Sequence, residues 1–275
     1  MNVIVAIFLG IVQGITEFLP VSSSGHLVIF KSLLNAQSDD SVLFETLVHF
    51  GTLCAVIAIY WPDVMKLVRF CIQPARWRAT SSSPDDKNTA KLLLLIILAS
   101  VPTALLGFYF HDLFKSLFLN PVAAGIALLL TGIILLCTLL ARPAINEYSH
   151  ISWFKGLLIG IMQGLSITPG ISRSGSTIAV GMYLGIDRTT AANLSFLMAV
   201  PAIGGAMLYE GKELFKGQTD LGFTSAAGGF IASFISGYIA LRFLLSIVRK
   251  GKLHYFSYYC FALGLFAILT FGILR

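Results

Sequence analysis

The sequence predicts an all-α polytopic membrane protein, an inverted repeat in which each half is a re-entrant helix pair followed by three transmembrane helices. Three observations predict this. Of 275 residues 56% are apolar and only 12% charged, and the mean hydropathy is +0.84, values of the membrane class rather than the soluble one. Six stretches reach the roughly 20 apolar residues that a helix needs to cross a bilayer. Residues 10–26, GIVQGITEFLPVSSSGH, recur without a gap at 160–176 as GIMQGLSITPGISRSGS, and both copies interrupt apolar sequence. The alternating ten-residue segments of a β-barrel are absent.

Each element follows from this pattern. Residues 3–35 hold two short apolar stretches joined by the first motif; too short to cross, they suit half-helices that enter and return on one side. A crossing over 41–61 precedes a polar loop at 62–90, with WRATSSSPDDKN at its centre and a short amphipathic piece. Crossings over 91–111 and 121–141 complete the first repeat, about 1–141. The second repeat, about 151–275, has its re-entrant pair at 153–186 and crossings at 189–209, 222–248 and 255–274, all within one membrane domain, 1–275. Three crossings are odd, so the second pair enters from the opposite face and the two tips can meet near the midplane.

Basic residues support this topology, because Lys and Arg collect in cytoplasmic loops. One side receives Lys66, Arg69, Arg76, Arg78, Lys87, Lys91, Arg142, Lys155, Arg188, Arg249, Lys250 and Lys252; the other receives Lys31, Lys115, Lys212, Lys216 and Arg275. Both termini then lie outside the cytoplasm. The net charge of +6 reflects these short loops, not a basic stripe with interleaved aromatics, so nucleic acid is not an expected partner. The N-terminus lacks the basic region of a cleavable signal, and the mature chain is expected to begin near Met1. Cys54, Cys71, Cys137 and Cys260 have no metal-ligand spacing and read as small core residues.

The chemistry lies in the motifs. Gly10, Ile11, Gln13, Gly14, Ser22, Ser24 and Gly25 match their counterparts 150 positions later, but Glu17 stands opposite Ile167, Ser23 opposite Arg173 and His26 opposite Ser176. The serines after Pro20 can cap a helix whose free N–H groups form an anion site. Ser23 and His26 lie three residues apart on neighbouring positions of that helix start. In the second motif, Ser172, Arg173, Ser174, Gly175 and Thr177 combine N–H groups, hydroxyls and a planar cation suited to phosphate. There is no Walker-type spacing, which argues against a nucleotide loop. Taken singly, Ser22 or Gly25 can be mere packing residues. An ionised Glu17 or Arg173 at membrane depth, costing about 2.5 to 3.5 kcal/mol, marks either a functional pocket or a structural ion pair. His49 and Glu45, four apart on the first crossing, are either a supporting pair or residues near its outer end.

Together QGITEFLPVSSSGH and PGISRSGST resemble the bacterial undecaprenyl-pyrophosphate phosphatase family, the bacitracin-resistance proteins. The resemblance extends through FETLVHFGTLCAVIAIYW at 44–61, HDLFKSLF at 111–118 and LSFLMAVPAIGGA at 194–206. It implies removal of the terminal phosphate from a C55 prenyl pyrophosphate at the outer face of the bacterial cytoplasmic (inner) membrane, which recycles the cell-wall lipid carrier. By position it assigns Glu17, Ser22, Ser23 and His26 to the first functional motif and Ser172, Arg173, Ser174 and Thr177 to the second. It also implies a divalent cation, Mg2+ or Ca2+, held by Glu17 or carried by the substrate; Gln13 stands where the family has Glu or Gln.

The expected catalytic residues are therefore Glu17, Ser23, His26 and Arg173, with Gln13, Ser22, Ser24, Gly25, Ser172, Ser174, Gly175 and Thr177 binding substrate. Ser23 is the preferred nucleophile, with Glu17 or His26 as general base; attack by His26 or by water is the alternative. A transporter or flippase of an anionic prenyl lipid is the competing reading, since inverted repeats with broken helices are a transporter architecture. A homodimer is compatible with the sequence, which does not give the oligomeric state.

Overall fold

The computed structural model describes residues 2–34, 41–73, 83–142, 144–214 and 222–273. Their helices are α1 Val3–Phe18, α2 Ser23–Leu34, α3 Ser41–Ile59, α4 Trp61–Ile72, α5 Pro84–Tyr109, α6 His111–Leu117, α7 Pro121–Leu136, α8 Trp153–Leu165, α9 Arg173–Tyr183, α10 Arg188–Leu214, α11 Phe223–Arg249 and α12 Tyr255–Ile268. Among the described residues the only β pairing is one isolated bridge between Ile145 and Ile186. The described residues are thus all-α, and α5, α7 with the 3-10 turn that extends it to Leu140, α10, α11 and α12 with its π-helical end are long and apolar enough to cross a membrane. α3 and α4, meeting at an 83° bend, are long and apolar enough only when taken together and form a sixth candidate span. These candidates cover the expected crossings.

Differences fall where local chemistry starts or stops a helix. Residues 84–90, expected in a loop, open α5: the Ser83 hydroxyl accepts the Asp86 N–H at 3.1 Å, Pro84 fits the first turn, and Asp85 and Asp86 suit the positive helix end. The amphipathic piece is α4; residues 74–82, with Arg76, Arg78 and most of the expected polar loop, lie outside the described residues. So do Lys216 and Arg275, and the side chain of Lys212. Of the four free cysteines only Cys260 is buried, while Cys71 and Cys137 are exposed, which corrects their reading as core residues.

Apolar side chains cover the outside as well as the core, and a set of polar ones is buried within it. Ile4, Phe108, Tyr109 and Phe223 point outward, while Gln13, Glu17, Ser23, His26, Ser174, Ser176 and Thr177 are buried. Neither α1, at 16 residues, nor α2, α8 or α9, at 12, 13 and 11, has the length of a crossing. Instead α1 and α2, and α8 and α9, form two helical hairpins clasped by the long helices. The incoming helix α1 lies on α11, and α8 lies on α5. The duplicated glycines allow this approach: a Cβ at Gly10 would sit 2.4 Å from the Gly229 carbonyl oxygen of α11, and one at Gly160 would sit 2.4 Å from the Ala99 carbonyl oxygen of α5. Between the hairpins α7 packs on α12 and α3 on α10. Fully buried Phe18, edge-on to Phe196 of α10 at 5.9 Å, anchors the end of α1 and so fixes its neighbour Glu17.

Candidate active site

The hairpin tips meet. α1 stops before Pro20, and Ser22 adopts a positive φ of 66°, a conformation that costs a non-glycine residue about 1–3 kcal/mol. The turn brings its hydroxyl back to accept the Gly25 N–H at 3.2 Å and, across the interface, the Gly170 N–H at 3.1 Å. Gly170 has φ 98°, and a Cβ there would strike the Ala124 carbonyl oxygen of α7 at 2.2 Å. Thr131 of α7 fastens this second tip by donating to the Gly170 carbonyl at 2.8 Å and accepting the Ser172 N–H at 3.0 Å. Ser172 then caps α9 through the Gly175 N–H at 3.1 Å. Gly25 packs directly against Gly170, and Gly175 against Pro20.

At this junction Glu17 connects both hairpins. Its Oε2 accepts the Ser23 hydroxyl at 2.6 Å and the Gln13 amide N–H at 2.9 Å, while its Oε1 accepts Arg173 Nη2 at 2.5 Å. The Glu17 and Arg173 side chains are only 7% and 15% exposed, so the ion pair is shielded from water. The pairing is incomplete: Arg173 Nη1 and Gln13 Oε1 are both buried with no hydrogen-bond partner. A buried guanidinium donor left unsatisfied is a costly arrangement unless an anion fills it.

His26 is near this centre in the chain but bonds elsewhere. Its Nδ1 lies 2.7 Å from the Ser22 carbonyl oxygen and its Nε2 lies 2.7 Å from the Tyr259 hydroxyl of α12. It has no direct bond to Glu17, Ser23 or Arg173. The Ser22 and Ser172 hydroxyls are spent as caps, each 3.3 Å from the Ser24 or Ser174 hydroxyl of its own motif. Thr177 is turned away: it donates to the Arg173 carbonyl at 2.7 Å and meets the Ser195 hydroxyl of α10 at 2.5 Å. The structure therefore gathers Gln13, Glu17, Ser23 and Arg173 directly, with Ser22, Ser24, Gly25, Ser172, Ser174 and Gly175 as the frame around them.

Two neighbours were not assigned to the site from sequence. His49 Nε2 lies 3.8 Å from Glu17 Oε2, while Glu45 pairs with Lys31 instead of joining it. The i, i+4 spacing had flagged His49 without its target. Tyr259 had only a weak signal, a hydroxyl aromatic in the Tyr255, Tyr258 and Tyr259 group of the last crossing.

The fold and site define a multi-pass membrane protein with a shielded, charge-bearing polar centre between two helical hairpins. The chain belongs to the bacitracin resistance protein BacA family, whose model matches residues 6–266. It is 40% identical over 266 residues to the undecaprenyl-diphosphatase of Alkaliphilus metalliredigens (strain QYMF), covering 96% of this chain and 97% of that protein. It is likewise 40% identical over 274 residues to that of Halothermothrix orenii (strain H 168 / OCM 544 / DSM 9562), covering 99% of this chain and 100% of the relative. The corresponding protein of Desulfosudis oleivorans (strain DSM 6200 / JCM 39069 / Hxd3) is 41% identical over 267 residues, 96% of this chain and 97% of its own.

Proposed function

We propose that this protein is an undecaprenyl-diphosphatase: it hydrolyses the terminal phosphate of undecaprenyl pyrophosphate and returns undecaprenyl phosphate, the cell-wall lipid carrier. The observation that carries the reading is Arg173, whose Nη2 shares the Glu17 carboxylate with the Ser23 hydroxyl while its buried Nη1 has no partner. Near-full-length relatives named for this reaction support it. The transporter reading is not favoured, since transport needs neither a nucleophile nor a base.

The geometry suits serine attack. Ser23 Oγ passes its proton to Glu17 Oε2 and forms a bond to the terminal phosphorus; the bond from phosphorus to the bridging oxygen breaks, and undecaprenyl phosphate leaves. Water then attacks the phosphoserine; the bond from phosphorus to Ser23 Oγ breaks, Ser23 recovers its proton from Glu17, and inorganic phosphate leaves carrying the protons of the water. Gln13 aims the carboxylate, and Arg173 Nη1 meets the phosphoryl oxygens, where charge spreads in the transition state. Glu17 thus serves as the base in preference to His26, which has no bond to Ser23 and whose Nε2 is engaged by Tyr259.

The donor set bears on the cation. Among the described residues no three His, Cys, Asp or Glu converge on one point, so these residues offer no complete cage. Glu17 and the unpartnered Gln13 Oε1 are hard oxygen donors that suit Mg2+ or Ca2+ when diphosphate oxygens supply the other ligands. When bound, the ion neutralises charge on the diphosphate.

The matching of α1–α11 with α8–α5 supports an inverted repeat with re-entrant hairpins. The family resemblance implies the bacterial inner membrane and a centre open to the outer face, and the bias of basic residues supports termini on that outer side. Purified protein in detergent, given a long-chain prenyl pyrophosphate with and without magnesium, is expected to release inorganic phosphate, faster with the metal. Lipid binding without phosphate release would overturn the hydrolase assignment.

A further inference from the structure

We infer that Tyr259 is a positioning residue for His26, contributed by α12 to the first hairpin; the inference rests on the phosphatase reading above. The Ser22 carbonyl oxygen can only accept, so His26 Nδ1, at 2.7 Å, carries the proton. Nε2 is then the nitrogen with the lone pair, and the Tyr259 hydroxyl at 2.7 Å donates to it. The two rings lie parallel, 3° apart in plane with centroids at 5.6 Å, which fixes the imidazole's tilt as well as its tautomer.

His26 is 2% exposed, so a ring with a free Nε2 would carry an unsatisfied buried acceptor. The hydroxyl meets that need from a helix 233 positions along the chain. α12 also fixes the motif's other flank, where the Cys260 thiol donates to the Pro20 carbonyl at 3.5 Å. The second motif has Ser176 at the position of His26; its hydroxyl is buried without a partner, so the tyrosine serves the first copy alone. Tyr259 thus holds the histidine neutral and its ring fixed, and His26, bonded to the Ser22 carbonyl, in turn holds the tip from which Ser23 reaches Glu17.

The test is Tyr259→Phe, which keeps the ring and removes the donor. Two readouts are taken: steady-state phosphate release from a long-chain prenyl pyrophosphate, and the imidazole 15N spectrum of histidine-labelled protein, with His26 assigned by its loss in His26→Gln. In the wild type His26 is expected to show the tautomer protonated on Nδ1 with a hydrogen-bonded Nε2. In the variant the Nε2 resonance should move to the free position, with kcat about tenfold lower, KM within about twofold and the melting temperature lowered by no more than a few degrees. An unmoved resonance, or an unchanged kcat, overturns the positioning role. A wild-type protein that shows the hydrogen-bonded Nε2 yet releases no phosphate overturns the phosphatase reading and with it any part for Tyr259 in turnover.

Discussion

In the first hairpin Ser22 takes the Gly25 N–H at 3.2 Å, and in the second Ser172 takes the Gly175 N–H at 3.1 Å. The His26 N–H returns to the Ser22 carbonyl as the Ser176 N–H returns to that of Ser172. The side chains then diverge. Gln13 donates to Glu17, but Gln163, facing no carboxylate because Ile167 stands in its place, donates to Thr103 Oγ1 at 3.2 Å. Ser23 and Arg173 occupy the same place in the two copies and converge on one carboxylate. One backbone design presents a serine hydroxyl from one side and a guanidinium from the other, so this cluster exists only where the tips touch.

Variants at matched positions can break or sharpen this comparison. The largest effect is expected at Ser23→Ala, a loss of turnover on the order of 10^4- to 10^6-fold with the fold retained; full activity in a phosphate-release assay would exclude serine attack and return the reaction to His26 or water. Its counterpart Arg173→Lys keeps the charge but loses the planar fork, and should cost about 10^2- to 10^3-fold in kcat. A near-normal rate there removes the phosphate clamp.

The frame should respond alike in both copies. Gly10→Val and Gly160→Val each force side-chain atoms into a facing backbone carbonyl and should each lose about 1–3 kcal/mol, read as similar drops in detergent melting temperature. If only one falls, the hairpins are not equivalent scaffolds. The caps give the smallest effect: Ser172→Ala loses one helix cap, about 1 kcal/mol. Ser22→Ala should cost more, because its hydroxyl also accepts the Gly170 N–H. Equal melting shifts would mean that this cross-tip bond adds nothing.

Much of the fold was legible because it is written in local periodicity. Apolar length located the crossings, and the repeated Pro, Gly and Ser breaks located both hairpins. The Glu17–Arg173 pairing was legible as a choice between pocket and ion pair; the geometry shows the ion pair, with one guanidinium nitrogen paired and the other buried without a partner. What escaped was the identity of partners across helices. Spacing places Thr177 on a face of α9 but not against Ser195, and His49 on a face of α3 but not against Glu17. Tyr259 escaped for the same reason, since a contact spanning 233 positions leaves no trace in either segment alone. The sharp turn into α4 and the start of α5 depend on Pro62, Ser83 and Pro84, stop and start signals that apolar length does not register.

The exchange of incoming helices, α1 onto α11 and α8 onto α5, has a consequence for assembly. A polypeptide severed between 141 and 151 would yield two fragments, each with a glycine-lined surface shaped for the other and neither able to complete itself. Such pieces should regain a native state only as a complementing pair in one bilayer, like two hands that must interlace before either can grip.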